Sequence, residues 1–142
     1  MKKFIILSVI VLFCGFQAFS QNKAEALEQD TNLIHPQITF VSNTYNFGKI
    51  RKGEKITTSF YFKNTGTKPL LILQVQTSCG CTASSWSKEY IEPNETGEIT
   101  VVFDTNAKED IIGKQSKYLL VISNAVNKEV KLGLEGEVSK TE

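Results

Sequence analysis

Two cysteines separated by one glycine are the residues of this chain whose types and spacing suit covalent chemistry. Cys79 and Cys81 lie in segment 77–82, which reads TSCGCT. A disulfide needs Cα atoms about 4.4–6.8 Å apart, and positions i and i+2 of an extended strand lie near the upper end of that range. Gly80 could bend the backbone enough to close the ring. The spacing therefore favours a local disulfide, which in so small a ring would be comparatively easy to reduce.

The same pair of cysteines has two other interpretations. Free thiolates could exchange disulfides or bind soft metals such as Cu(I) and zinc. Alternatively, both thiols could be inert and pack in the core beneath Trp86. A structural zinc site takes four ligands. After the N-terminal apolar run the chain offers only three candidate cysteine and histidine ligands, His35, Cys79 and Cys81. No complete metal site and no cofactor are therefore expected.

No catalytic arrangement is evident in the sequence. His35 is the single histidine and stands in a polar segment, so a Ser/His/Asp triad lacks a suitably placed base. Glu92, Glu95 and Glu98 crowd one predicted turn, where charged side chains are usually solvated. The sequence therefore predicts that the protein is not an enzyme.

The N-terminus has the three parts of a secretory signal peptide. Lys2 and Lys3 form a basic start, residues 4–16 are mainly apolar, and small residues occur at Ala18 and Ser20. The apolar run has 13 residues, fewer than the roughly 20 that a membrane-spanning helix needs. We therefore predict cleavage after Ser20, export to the periplasm or the cell exterior, and no transmembrane anchor.

Lipidation of Cys14 is a minor alternative, because the residue before a lipidated cysteine is small and Phe13 is bulky. If Cys14 leaves with the signal peptide, two cysteines remain, an even number that suits an oxidising compartment. Loss of Lys2 and Lys3 reduces the 16 basic residues to 14, against 15 acidic ones, with both signs interspersed. This charge distribution argues against nucleic acid as a partner.

Residues 21–37 are polar and have too few apolar side chains to form a core, which predicts a flexible leader. From Ile38 onwards apolar and polar residues alternate, as in half-buried strands. About seven strands separated by turns, with no helix of core-forming length, predict an immunoglobulin-like antiparallel β-sandwich over residues 38–142. The residues whose alternation defines these strands, and which are predicted to share their core-facing sides, are Ile38, Phe40, Tyr45, Phe47, Ile50, Ile56, Thr58, Phe60, Phe62, Ile99, Val101, Phe103, Tyr118, Leu120, Ile122, Val130, Leu132 and Leu134.

Glycine and proline residues mark the predicted turns and irregularities. Gly48 interrupts the first strand and indicates a bulge or a close backbone contact. The nearly continuous apolar run from Leu70 to Thr77 is typical of a central strand. The residues predicted to form turns or bends are Gly48, Gly53, Gly66, Pro69, Pro93 and Gly97.

Several short segments, taken in order, resemble the bacterial family of unknown function DUF1573. They are YNFGKI at 45–50, GEK at 53–55, FKNTG at 62–66, KPL at 68–70, SCGCT at 78–82 and IEPNE at 91–95. The resemblance covers residues 38–138 and implies an immunoglobulin-like sandwich, similar to Hydin-type and major-sperm-protein domains, in exported interaction modules. Asn94 departs from the glycine more frequent there, although asparagine also tolerates a left-handed conformation.

Together these observations predict a non-enzymatic binding or assembly module of the bacterial envelope, whose partner is another envelope or surface protein. The alternative is a thiol-redox or Cu(I)-handling protein that uses Cys79 and Cys81. A carbohydrate-binding sandwich ranks last, because Tyr61, Trp86 and Tyr90 are its only candidate stacking residues.

Overall fold

Residues 34–140 are the part of the chain that the computed structural model describes. They form two four-stranded sheets and no helix, which confirms the predicted β-sandwich. The predicted signal peptide and most of the predicted leader lie outside the described residues. In chain order the strands are β1 Ile38–Phe40, β2 Thr44–Arg51, β3 Lys55–Asn64, β4 Ile72–Thr77, β5 Thr82–Trp86, β6 Thr96–Asp104, β7 Gly113–Ser123 and β8 Glu129–Ser139. The first sheet has the order β1-β3-β6-β5 and the second the order β2-β8-β7-β4.

The first predicted strand is divided between the two sheets. β1 pairs with β3 in the antiparallel direction, the chain bends at residues 41–43, and β2 then pairs with β8 in parallel. The parallel pair departs from the expected antiparallel sandwich, because the chain keeps its direction as it changes sheets.

The bulge predicted at Gly48 is present in β2. The pairing register shifts between Asn46 and Gly48, and Phe47 is the extra residue. Gly48 has a φ of 69°, a conformation that glycine adopts without steric cost, and its N–H donates to Asn46 Oδ1 at 2.8 Å. The extra residue reverses the alternation of side chains, so Phe47 and Ile50 are both buried although they are three positions apart.

Strict alternation correctly predicts the core faces of β3 and β6. Phe60 and Phe62 are buried while Tyr61 between them is 57% exposed. On β6 the predicted residues Ile99, Val101 and Phe103 are fully buried. A buried side chain of this size stabilises the fold by about 1.5–3 kcal/mol.

The predicted core face of β7 is wrong. Leu119 and Val121 are buried, whereas the predicted Tyr118 is 46% exposed and Leu120 is half-buried. Both alternate sets of this strand are apolar, so the sequence pattern gives no basis for choosing between its two faces.

The apolar run from Leu70 to Thr77 is not a central strand. Its regular part, β4, lies at the edge of the second sheet and pairs only with β7 among the described strands. Leu70 forms an isolated bridge with Ile91 before β4 begins, and Leu73 is 55% exposed. An apolar run shows that a segment contacts a core but does not determine how many strands flank it.

The domain begins earlier than predicted, because residues 34–37 are bound to it. The N–H of Thr67 donates to His35 O at 3.1 Å, and the N–H of Val126 donates to Pro36 O at 3.0 Å. Pro36 is buried. These four residues were expected in the flexible leader because their partners lie far away in the sequence.

Asn64, at the end of β3, connects three segments of the chain through one buried side chain. Its Nδ2 donates to Lys68 O at 2.8 Å and to Ile91 O at 2.9 Å. Its Oδ1 accepts from the N–H of Gly66 at 3.0 Å and from that of Gln37 at 3.4 Å. All four hydrogen-bonding positions of the amide are therefore used.

Four of the residues predicted to form turns, Gly53, Gly66, Pro69 and Pro93, lie between strands. At Gly66 a Cβ atom would approach His35 O to 2.2 Å, so only glycine fits. Asn94 has a φ of 69°, the left-handed conformation expected there.

The prediction that Gly97 forms a turn is wrong, because Gly97 lies within β6 and pairs with Phe62. A Cβ at this position would be 2.6 Å from the Phe62 ring and 2.9 Å from Ile91 Cδ1. Glycine is needed here for close packing and not for a turn.

We expect Asn64→Ala to lower the free energy of unfolding by at least about 3 kcal/mol, because each unsatisfied buried group costs about 1–3 kcal/mol. Asn127→Ala is the matched control, since the exposed Asn127 amide also bonds backbone, the N–H and carbonyl of Ile38. Asn127→Ala should lower the free energy of unfolding by about 1 kcal/mol. Urea denaturation of both variants checks this, and equal losses would contradict the role assigned to Asn64.

Candidate functional site

The two cysteines lie where the chain crosses from one sheet to the other. Residues 78–81, here called the cysteine crossover, connect the edge strand β4 of the second sheet to the edge strand β5 of the first. The Sγ atoms of Cys79 and Cys81 are at bonding distance, 1.90 Å, and their Cα atoms are 5.3 Å apart. The Cα distance lies within the range for a disulfide, so the structure agrees with the first of the three interpretations.

Hydrogen bonds connect the crossover to both sheets. The N–H of Ser78 donates to Tyr118 O on β7 at 2.9 Å, and the N–H of Tyr118 donates to Ser78 Oγ at 3.0 Å. On the other side the N–H of Asp104, at the end of β6, donates to Cys81 O at 2.9 Å. The position of this segment therefore does not depend on the sulfur–sulfur bond alone.

The two cysteines differ in exposure. Cys81 is 3% exposed and belongs to the core, whereas Cys79 is only partly buried and packs against the edge of the core. The hydroxyl of Thr82 lies 3.6 Å from Cys79 Sγ and 4.0 Å from Cys81 Sγ. Since a disulfide sulfur carries no proton, this hydroxyl is the donor in both contacts.

Gly80, between the cysteines, is exposed, and a Cβ built on it meets no atom of the described part of the chain within 4 Å. Its φ is not in the left-handed region occupied by Gly48, Gly53 and Gly113. The ring therefore closes without a conformation reserved for glycine, and open space lies next to Gly80.

An ion pair lies beside the crossover. The Asp104 carboxylate is 2.8 Å from Lys55 Nζ and accepts from the N–H of Asn106 at 2.8 Å. The Lys55 hydrogen bond, followed by the Asn106 N–H, lowers the pKa of Asp104. The stability linked to this carboxylate is therefore present near neutral pH and is lost as the pH falls through the lowered pKa.

Trp86 does not lie next to the cysteines. β5 carries the chain about 13 Å from Thr82 to Trp86, and the indole N–H donates to Ile72 O at the opposite end of β4, at 3.3 Å. Lys88 Nζ lies 3.2 Å from the centre of the ring. The predicted packing on the cysteines fails because an extended strand separates the two positions.

The four edge strands of the sandwich differ in how they are protected. At β1 the side chain of Asn127 binds both main-chain groups of Ile38, at 3.2 and 2.7 Å. β2 is interrupted by the bulge at Gly48, and the register of β4 shifts near Leu73. Bulges and covering groups protect edges against strand addition. β5 pairs with β6 in unbroken register and contains no charged residue and no proline.

The register shows which main-chain groups of β5 are directed away from β6. Because the N–H of Asp104 donates to Cys81 O, Cys81 and Asp104 form a hydrogen-bonded pair. Hydrogen-bonded and non-hydrogen-bonded pairs alternate along antiparallel strands. Ala83 and Ser85 are therefore bonded to β6, whereas the N–H and carbonyl of Ser84 point to the free edge.

A shallow depression of about 560 Å³ lies on the outer surface of the second sheet. Its lining includes Lys49, Lys114, Glu135 and Glu137. Lys49 and Glu137 form an exposed pair at 3.5 Å, a contact that contributes little energy.

Across residues 34–140 no three His, Cys, Asp or Glu side chains are grouped to hold a metal ion. Nor does this part of the chain contain a helix long and apolar enough to cross a membrane.

The disulfide closes a ring over one intervening residue, so it restricts the unfolded chain little. The loop-entropy relation gives about 1.6 kcal/mol for a three-residue ring. We expect the double replacement Cys79→Ala/Cys81→Ala to lower the free energy of unfolding by about 2 kcal/mol and to leave the fold intact. Urea denaturation and circular dichroism, with replacement of the exposed Ser85 by alanine as control, check this. Failure of the double variant to fold would show that the disulfide is a main source of stability.

These features define the class of the protein: an immunoglobulin-like β-sandwich with a divided first strand and a disulfide at one edge. Residues 38–138 match the model of the family described as "Protein of unknown function (DUF1573)", and the chain belongs to this family. The resemblance noted in the sequence is thereby confirmed. No curated protein matches the sequence.

Three solved structures show the same fold at low identity. A protein of unknown function from Porphyromonas gingivalis W83 has a TM-score of 0.66 and 16% identity over 75% of this chain and 48% of its own. The chain thus spans about half the length of that protein. PapD-like domain 7 of human CEP192 has a TM-score of 0.60 and 11% identity, with coverages of 76% and 89%. The Pseudomonas aeruginosa CupB2 chaperone has a TM-score of 0.51 and 12% identity, with coverages of 71% and 55%.

Proposed function

We propose that this protein is a non-enzymatic, exported binding or assembly module of the bacterial envelope, and that β5 binds an extended segment of another envelope protein. The observation that carries the proposal is the β5 edge, which, within residues 34–140, lacks the bulges and covering groups found at the other edges. A free edge supplies main-chain donors and acceptors in a regular row, which is how peptides are recognised by strand addition.

The side chains of β5 suit this mode of binding. Ala83 and Ser85 are small and exposed, so a partner strand can approach the edge without displacing bulky groups. The N–H and carbonyl of Ser84 are available for the first hydrogen bonds of such a pair. The fold is also that of the CupB2 chaperone, and this supports a role in handling other proteins.

Photo-crosslinking in cells that express the full chain tests the β5 edge directly. A photoreactive residue at Ser85 should capture a protein of defined mass, whereas one at Lys49, beside the bulge of β2, should not. Ser84→Pro removes the free-edge N–H without removing a bond to β6, and Ser84→Ala retains it. We expect Ser84→Pro to reduce capture at least tenfold and Ser84→Ala to leave it unchanged.

Capture that is equal in the two variants would contradict strand addition at β5. Absence of any product, under conditions in which a known envelope complex is captured, would contradict the binding function itself. Circular dichroism of both variants controls for folding.

Export is the second part of the proposal and is supported by the basic start, the apolar run and the small residues before Gln21. We expect the protein recovered from the envelope fraction to begin at Gln21, and replacement of Ala18 and Ser20 by leucine to block processing. Mass spectrometry of the N-terminus checks this. An intact Met1 in the cytoplasm would contradict export, and an acylated Cys14 would replace the proposed cleavage site by a lipid anchor.

A second candidate function is thiol-redox activity or Cu(I) handling by Cys79 and Cys81. It is favoured by one observation: the disulfide lies at the edge of the sandwich and one of its cysteines is only partly buried.

A further inference from the structure

We propose that the Cys79–Cys81 disulfide is a thiol-exchange site at which a protein dithiol attacks Cys79 and Cys81 is the leaving group. This inference rests on the second candidate function and names its substrate class and direction. It requires nothing of the β5 edge.

The direction of attack follows from the exposure of the two sulfur-bearing residues. The rate of exchange depends on which sulfur an incoming thiolate can reach. Cys81 is 3% exposed and surrounded by the core, whereas Cys79 is partly exposed at its edge. Gly80, between the two cysteines, is exposed, and within residues 34–140 no atom lies within 4 Å of a Cβ built there, so another protein chain can approach this part of the ring.

The leaving sulfur stays in place after the bond breaks. Cys81 remains anchored by the hydrogen bond from the Asp104 N–H to its carbonyl, and the Thr82 hydroxyl lies 4.0 Å from its sulfur. Cys79 is likewise held by its neighbour Ser78, which is bonded to Tyr118 on β7. The reduced pair is therefore kept close together, and the domain does not need to unfold for the disulfide to open or close.

The reaction balances as two successive displacements. A partner thiolate attacks Cys79 Sγ and forms a mixed disulfide, while the Cys79–Cys81 bond breaks and Cys81 leaves as a thiolate that takes a proton from solvent. The second thiol of the partner then loses its proton and attacks the partner sulfur of the mixed disulfide, releasing Cys79 as a thiolate that also takes a proton from solvent. The protein gains two electrons and two protons, and the partner dithiol is oxidised to a disulfide.

Glutathione is the probe for the position of attack, because a monothiol needs a second molecule to release the mixed disulfide, so an early quench traps the first adduct. The full chain with Cys14→Ala, in which Cys79 and Cys81 are the only cysteines, is oxidised and incubated under native conditions with reduced glutathione. After an acid quench and alkylation, peptide mass spectrometry locates the adduct. We expect at least tenfold more glutathione on Cys79 than on Cys81. Equal or inverted labelling, or a disulfide that opens only in denaturant, would overturn the proposal.

Single-thiol variants provide an independent measurement. In the same background, Cys81→Ala retains only the Cys79 thiol and Cys79→Ala retains only the Cys81 thiol. We expect oxidised glutathione to modify the Cys79 thiol at least tenfold faster in the folded state and at similar rates in denaturant, where both are exposed. Equal rates in the folded state would overturn the direction of attack.

The outcome is distinguishable from that of the proposed binding function. Ser84→Pro should leave the exchange rate unchanged, because the hydrogen bonds of the crossover involve Ser78, Tyr118 and Asp104. Tight Cu(I) binding by the reduced pair without exchange would overturn the thiol-exchange proposal in favour of metal handling, and would leave the β5 prediction standing.

Discussion

One buried amide connects parts of this domain that the two sheets leave apart. The Asn64 side chain binds the segment before β1, the turn after β3 and the chain at Ile91 before β6, and each of its polar atoms has a partner. An unsatisfied buried polar group is costly, so these segments are stable only in the arrangement that satisfies all the contacts together. The absence of a Cβ at Gly66 lets the chain at His35 and Pro36 approach closely enough to join them.

The edge strands of the sandwich differ in whether a side chain or a bulge protects them. The first strand changes sheets at residues 41–43, which places β1 and β2 at edges of different sheets, one covered by Asn127 and the other bulged. The cysteine crossover likewise joins two edge strands, β4 and β5. The disulfide and the unprotected edge of β5 are thus neighbours in the chain, and both proposed activities lie around one crossing between sheets.

The small size of the disulfide ring explains why a redox role and a stable fold are compatible. A bridge over one residue contributes little by restricting the unfolded chain, while hydrogen bonds to β6 and β7 hold the crossover in place. Many of the buried core residues lie on β3, β6, β7 and β8, outside the crossover, and the Asn64 contacts also lie outside it. The sulfur–sulfur bond can therefore open without loss of the core.

The sequence by itself determined the all-β class, the core faces of β3 and β6, the bulge at Gly48 and the proximity of Cys79 to Cys81, because these features depend on residues only a few positions apart. Only the tertiary structure decided which face of β7 is buried, that β4 is an edge, that Trp86 lies away from the cysteines, and that residues 34–37 belong to the domain. It also decided which cysteine is accessible and which amide holds the loops together. These properties depend on contacts between residues far apart in the chain, and neither local alternation nor spacing contains that information.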